Sequence, residues 1–253
     1  VKVKWLLIFV LASIVVLSGC IEEKSSTTAT KSENPKNIRA ELLSVLDNET
    51  NFGATWEIKL FNKTSYLALS TGKAVVTPKR VLTYRESKSM GDTNWSSKSI
   101  IIWENGTGTL FVEMRIGNTT QPYKSTKEFN FTVAKRIAYP YGEIMFALSD
   151  KLKFNETKQE VKCNGECILH VLRKFGYDEM GDITTGPWTI KYIEANITYD
   201  PNTKKIKEAS IYLETSRGDR EILKCSFIRE NLAELEKELE EKYLEFGSRK
   251  FSG

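Results

Sequence analysis

Three long apolar/polar alternations follow one another between Trp188 and Ile228, and they constrain the fold more than any other feature of the chain. Side chains alternate between the two faces of a strand, so a period of two marks a half-buried strand. Trp188–Tyr199, Ile206–Thr215 and Glu221–Ile228 read as three strands of a meander. Asp200-Pro201-Asn202-Thr203 and Arg217-Gly218-Asp219 supply the intervening turns. A helix follows, with Asn231 as N-cap and Gly247 as C-cap. Its Leu232, Leu235, Leu239, Tyr243 and Phe246 recur at three- and four-residue spacing, as a stripe packed on a sheet requires.

The same alternation runs earlier in the chain. Trp56, Ile58 and Leu60 alternate with Glu57 and Lys59, and Leu110, Val112, Met114 and Ile116 with Thr109, Glu113 and Arg115. Phe129, Phe131 and Val133 alternate with Glu128, Asn130 and Thr132 and are read as another strand. Leu67–Val76, Arg80–Arg85 and Ser99–Trp103 complete the set, with a hairpin turn at Asn105-Gly106-Thr107-Gly108 and a strand break at Pro78. Helical patches are expected at Glu143–Leu152 and Cys167–Phe175. The expected class is α+β, mainly an antiparallel sheet with a C-terminal amphipathic helix packed on it. Residues 37–253 form this body, as one domain or as two subdomains meeting near residues 137–187.

Ahead of the body, Lys2 and Lys4 precede an apolar run from Trp5 to Leu17, closed by Leu17-Ser18-Gly19-Cys20. This is the three-part layout of a signal peptide, and the run is short for a bilayer span. The tetrapeptide resembles the lipobox of prokaryotic lipoproteins, which implies lipidation at Cys20 and loss of residues 1–19. Residues 20–36 then form a polar tether with almost no large apolar side chains. The expected location is the extracytoplasmic face of the cell membrane, held by lipid. The full chain carries 37 basic and 33 acidic residues. Signs this evenly mixed do not make the concentrated basic face that a nucleic acid needs.

Eight Asn-x-Ser/Thr triplets occur, at Asn48, Asn62, Asn94, Asn105, Asn118, Asn130, Asn155 and Asn196, none with proline in the middle. Chance placement of the asparagines would give about two or three. The excess points to a carbohydrate coat on an exported protein. A lipobox combined with many sequons resembles the N-glycosylated cell-surface lipoproteins of archaea.

Beyond Cys20 the cysteines are Cys163, Cys167 and Cys225. Export favours a disulfide. Cys163–Cys167 closes a small loop through Asn164-Gly165, and Cys225 is an alternative partner for either. Cys225 runs in phase with Leu223 and Phe227, which points it into the core and favours a reduced thiol there. Cys163, Cys167, His170 and Cys225 also make a Cys3His set whose spacing suits structural zinc.

His170 is the only histidine, and no Gly-x-Ser-x-Gly, phosphate-loop or His-Glu-x-x-His motif accompanies it. No cofactor is implied, and nothing in the sequence selects a carboxylate pair among the acids. The expectation is a non-enzyme: a lipid-anchored binding module for an apolar ligand or partner protein. The alternatives are a structural envelope glycoprotein and, last, a surface hydrolase. The Tyr199–Ile206 hairpin between two long strands resembles sheets of the lipoprotein-carrier family. That likeness implies a half-open β-barrel that cradles acyl chains.

Overall fold

The computed structural model describes residues 38–91, 94–148, 153–155, 160–164, 190–215 and 218–247. The expectations for Cys20, the leader and the tether, and for Cys167, His170 and the 167–175 helix, lie outside the described residues. Helix α1 (Ile38–Asn48) leads into six consecutive strands: β1 (Phe52–Phe61), β2 (Tyr66–Val76), β3 (Arg80–Ser89), β4 (Trp95–Glu104), β5 (Thr107–Ile116) and β6 (Thr119–Glu128). Helices α2 (Phe131–Ala138) and α3 (Tyr141–Ala147) follow. The short strands β7 (Lys153–Asn155) and β8 (Glu160–Asn164) come next. The meander β9 (Ile190–Tyr199), β10 (Ile206–Thr215), β11 (Arg220–Ile228) and helix α4 (Leu232–Gly247) complete the body.

All eleven described strands form one sheet in the order β6-β5-β4-β3-β2-β1-β11-β10-β9-β8-β7, with every neighbouring pair antiparallel. The two runs of strands join where β1 pairs with β11, from Gly53 opposite Ile228 to Phe61 opposite Arg220. The strands on either side of residues 137–187 therefore share one sheet. This is the expected α+β class, mainly antiparallel, with the C-terminal helix packed on it.

Local chemistry accounts for the turns. Asn105 and Gly106 both have positive φ, as a two-residue type I′ hairpin needs. Pro78 sits between Thr77 and Arg80, whose backbones bond to each other and close the β2–β3 turn. In the β9–β10 turn Asp200 Oδ1 accepts from the amides of Asn202 at 2.9 Å and Thr203 at 2.8 Å.

Two apolar layers flank the sheet. On the inner face α1, α2 and α3 cover a cluster that includes Leu42, Leu46, Trp56, Val81, Trp103, Ile144, Leu148, Ile193, Ile211, Leu223 and Phe227. On the outer face Leu239 and Phe246 of α4 pack on Val75, Leu82, Ile100, Ile102 and Phe111. Gly53 allows that approach, since a Cβ there would lie 2.7 Å from Leu235 Cδ2. Lys73 reaches Glu238 at 2.7 Å, and Arg80 pairs with Glu240, tying α4 across β2 and β3.

One segment departs from its expected structure. Phe129–Val133 is not a strand: β6 ends at Glu128 and α2 begins at Phe131. Asn130 caps α2, its Oδ1 accepting from Val133 N at 2.9 Å. The residues α2 buries are Ala134, Lys135 and Ala138, a helical spacing. Three alternating apolar residues are too short a run to outweigh a cap followed by that spacing. Four elements carry no forecast: α1, with Ile38, Leu42 and Leu46 buried at i, i+4, i+8; β6, a polar strand along one edge of the described sheet; and the short strands β7 and β8.

Candidate functional site

Strand alternation places charged residues on the inner face, in the same phase as the core. Glu221 continues the Leu223, Cys225, Phe227 series on β11. Arg85 continues Val81 and Thr83 on β3. A cross-strand row runs Arg85–Gly72–Trp56–Cys225 from β3 to β11. The Trp56 ring lies over Gly72, where a Cβ would come within 2.1 Å of it, so the indole lies flat across β2.

Beside that row sits a polar cluster. Arg85 Nε donates to Ser70 Oγ at 2.8 Å, and the Ser87 and Ser70 hydroxyls are 2.9 Å apart. Glu143 of α3 and Glu221 of β11 both sense the Arg85 charge, and Glu221 also senses Glu143. Burial pushes the Glu221 carboxyl up to about 8, repulsion from Glu143 adds to this, and Arg85 partly offsets it. Glu143 is raised for the same first reason, with its own backbone N–H and Arg85 pulling the other way. Burial lowers Arg85, although both glutamates favour its charged form. Glu221 Oε1 is closed off from solvent and has no hydrogen-bond partner among the described residues. A carboxyl with that oxygen unmet is costly to hold in place.

A second buried charge cluster anchors the helix layer a short way off. Lys135 of α2, 1% exposed, donates to the carbonyls of Leu46 at 3.0 Å, Asp47, and Glu49 at 3.3 Å. It thereby caps the C-terminus of α1 with a cation. Tyr141, the first residue of α3, donates to Asp47 Oδ1, and Arg136 lies over its ring. Glu49 receives a two-pronged grip from Arg229, at 2.8 and 2.9 Å, and faces Lys205 at 3.3 Å. Beyond this anchor α3 lies over β9 and β10, and Glu143 near its start is the residue that feels Arg85.

Cys225 carries a buried free thiol, pushed up to about 12 by burial with Glu143 adding to the shift. Cys163 lies on β8, with β9 and β10 between it and β11. Three strand spacings put their backbones on the order of 14 Å apart, beyond the reach of a disulfide. No group of His, Cys, Asp or Glu that could hold a metal occurs among the described residues. The zinc reading involves Cys167 and His170, which lie outside them.

The sequon asparagines are spread over the body. Asn62, Asn94 and Asn118 lie in the turns at one end of β1–β6, and Asn48, Asn105 and Asn130 lie toward the other end. Asn196 is mid-strand on β9. Of these seven, Asn62 is half-buried and the others are exposed. Asn155 is on β7. Asn62 and Asn130 use Oδ1 as an acceptor, which leaves Nδ2, the atom that carries a glycan, uncommitted to those bonds.

The Arg85–Glu143–Glu221 grouping is absent from the sequence forecast. For Glu221 a signal existed: it shares the phase of Leu223, Cys225 and Phe227, and a charge in that phase faces inward. No family model matches the chain, and no curated protein matches it.

Proposed function

We propose that the protein is a lipid-anchored extracytoplasmic binding module that holds an apolar ligand between the inner face of its sheet and helix α3. The observation that carries this is the footing of α3. It rests on a cluster in which a buried carboxyl oxygen has no partner among the described residues and two carboxyls feel the charge of one guanidinium. Such a contact weakens the footing of α3, even though Ile144, Ala147 and Leu148 pack in the same apolar layer as α1 and α2; the Lys135 network adds to that packing for α1 and α2. Lifting α3 would open Ile193, Ala195, Ile197 and Ile211, all buried and apolar. The resemblance of the Tyr199–Ile206 hairpin to lipoprotein carriers supports the same reading, as does an open antiparallel sheet with helices on its inner face. Cys20 would supply the lipid anchor and the sequons the glycans, with no cofactor and no nucleic acid involved.

A hydrolase is the second reading, and the Glu143–Glu221 pair favours it. A carboxyl that keeps its proton to about pH 8 is suited to act as a general acid. Two experiments separate these. The delipidated protein is titrated with a fatty acid brominated along its chain, and tryptophan emission is followed in parent and W56F. Saturable quenching that W56F largely loses supports binding beside Trp56. Absence of quenching removes the binding reading and leaves the envelope and hydrolase roles. Turnover of a glycoside or ester panel that E221Q abolishes would support the hydrolase.

A further inference from the structure

The outer face of the sheet is covered by α4 over β1–β3, with contact reaching Phe111 on β5. Over β9–β11 the same face instead carries a trough of about 410 Å3 lined by Tyr192, Glu194, Asn196, Ser210, Tyr212 and Ile222 among others. Its floor is aromatic and acidic. The Tyr192 and Tyr212 rings lie 6.1 Å apart, and their hydroxyls donate to Glu194 at 2.5 Å and to Glu214 at 3.0 Å. Aromatic faces flanked by hydrogen-bonding carboxylates suit a sugar, which presents C–H groups to a ring and hydroxyls to acceptors. Within this trough stands Asn196, exposed, with Thr198 two residues on and hence on the same face. Ile197 between them is fully buried on the other side, so the strand cannot turn the acceptor away.

We infer that the Asn196 glycan occupies this trough, its first sugars lying against Tyr192 and Tyr212 as the outer cover of the meander. The inference rests on the reading of the chain as an exported glycoprotein and goes further in giving one glycan a structural place. The other described sequons sit in turns or at element ends, whereas Asn196 is mid-strand on a face lined by the trough. In the transfer, Asn196 Nδ2 attacks the anomeric carbon of a lipid-linked glycosyl phosphate. The C–N bond forms, the C–O bond to phosphate breaks, the amide loses one proton, and the lipid phosphate leaves with the electron pair.

The test is glycopeptide mapping of the protein purified from its own membranes, followed by tyrosine iodination of parent and T198A, which keeps Asn196 but destroys the sequon. The expected result is occupancy at Asn196 and a several-fold rise in iodination of Tyr192 and Tyr212 in T198A. N196Q should repeat that rise, and an unchanged circular dichroism spectrum would show that both variants fold. Other sequons occupied with Asn196 bare would overturn this inference alone, and no glycan at any site would overturn the exported-glycoprotein reading beneath it. Occupancy at Asn196 with unchanged tyrosine reactivity would place the glycan outside the trough and overturn the inference as well.

Discussion

Two charged clusters lie on the same face of one sheet and solve the burial problem differently. Around Lys135, the buried ammonium meets three carbonyls, Asp47 meets Tyr141, and Glu49 meets Arg229 and Lys205. Around Arg85, two carboxyls lie within the field of one guanidinium whose Nε donates to Ser70, and Glu221 Oε1 has no partner among the described residues. A fully met buried network rigidifies the elements it joins, and a partly met one costs free energy. The pairing of the two along one helix layer suggests a fixed end at Tyr141 and a releasable span beyond it.

The sharpest way to break the contrast is K135M. It removes charge-assisted bonds to three carbonyls and leaves the α1 terminus uncapped, which should cost about 3 kcal/mol or more in urea unfolding. A change below about 1 kcal/mol would mean the anchor is not one.

E221Q should act in the opposite direction. The folded carboxyl keeps its proton to about pH 8, while the unfolded chain releases it near pH 4.5. Parent stability attributable to this group is therefore full at low pH, declines as pH rises from about 4.5, and levels off above about 8. Glutamine removes that decline. The variant should exceed the parent by roughly 4 kcal/mol at pH 8 and converge with it near pH 4, by thermal unfolding across the range. A gap that does not vary with pH would remove Glu221 from the cluster.

Replacing the Asn130 cap should cost about 1 kcal/mol in N130A, with N130D close to parent, since either Asn or Asp can accept from Val133 N. The smallest effect is kinetic. Cys225 should react with a thiol-specific disulfide reagent only as the protein unfolds, given its burial and raised thiol. Rapid modification of the native protein at Cys225 would show that the layer around it opens more widely than the cluster contrast implies.

Much of the sheet was legible because alternation is a local signal. β10 spans Ile206–Thr215 as read, β11 begins one residue before Glu221, and Asn105-Gly106 turns as its composition dictates. The edge strand β6 carried no such signal, since its residues are exposed apart from half-buried Ser125, and a strand without a buried face has no period. At Phe129–Val133 the alternation was real but shorter than the helix that competes for it. Asn231 stands directly before α4, the N-cap position read for it. What the sequence did not signal is its positive φ, at 54°, with its carbonyl accepting from the amides of Glu234 and Leu235. The site was the least legible. Arg85, Glu143 and Glu221 come from three distant segments, and their meeting depends on which strands are neighbours, something local periodicity does not encode.

The claim that α3 is releasable while α1 is fixed is tested most directly by native-state hydrogen exchange resolved by residue. The account predicts that the amides of Ile144 to Leu148 exchange markedly faster than the protected amides of α1. They should slow when a long-chain fatty acid saturates the protein. Equal, slow exchange in both helices, unmoved by saturating ligand, would contradict it.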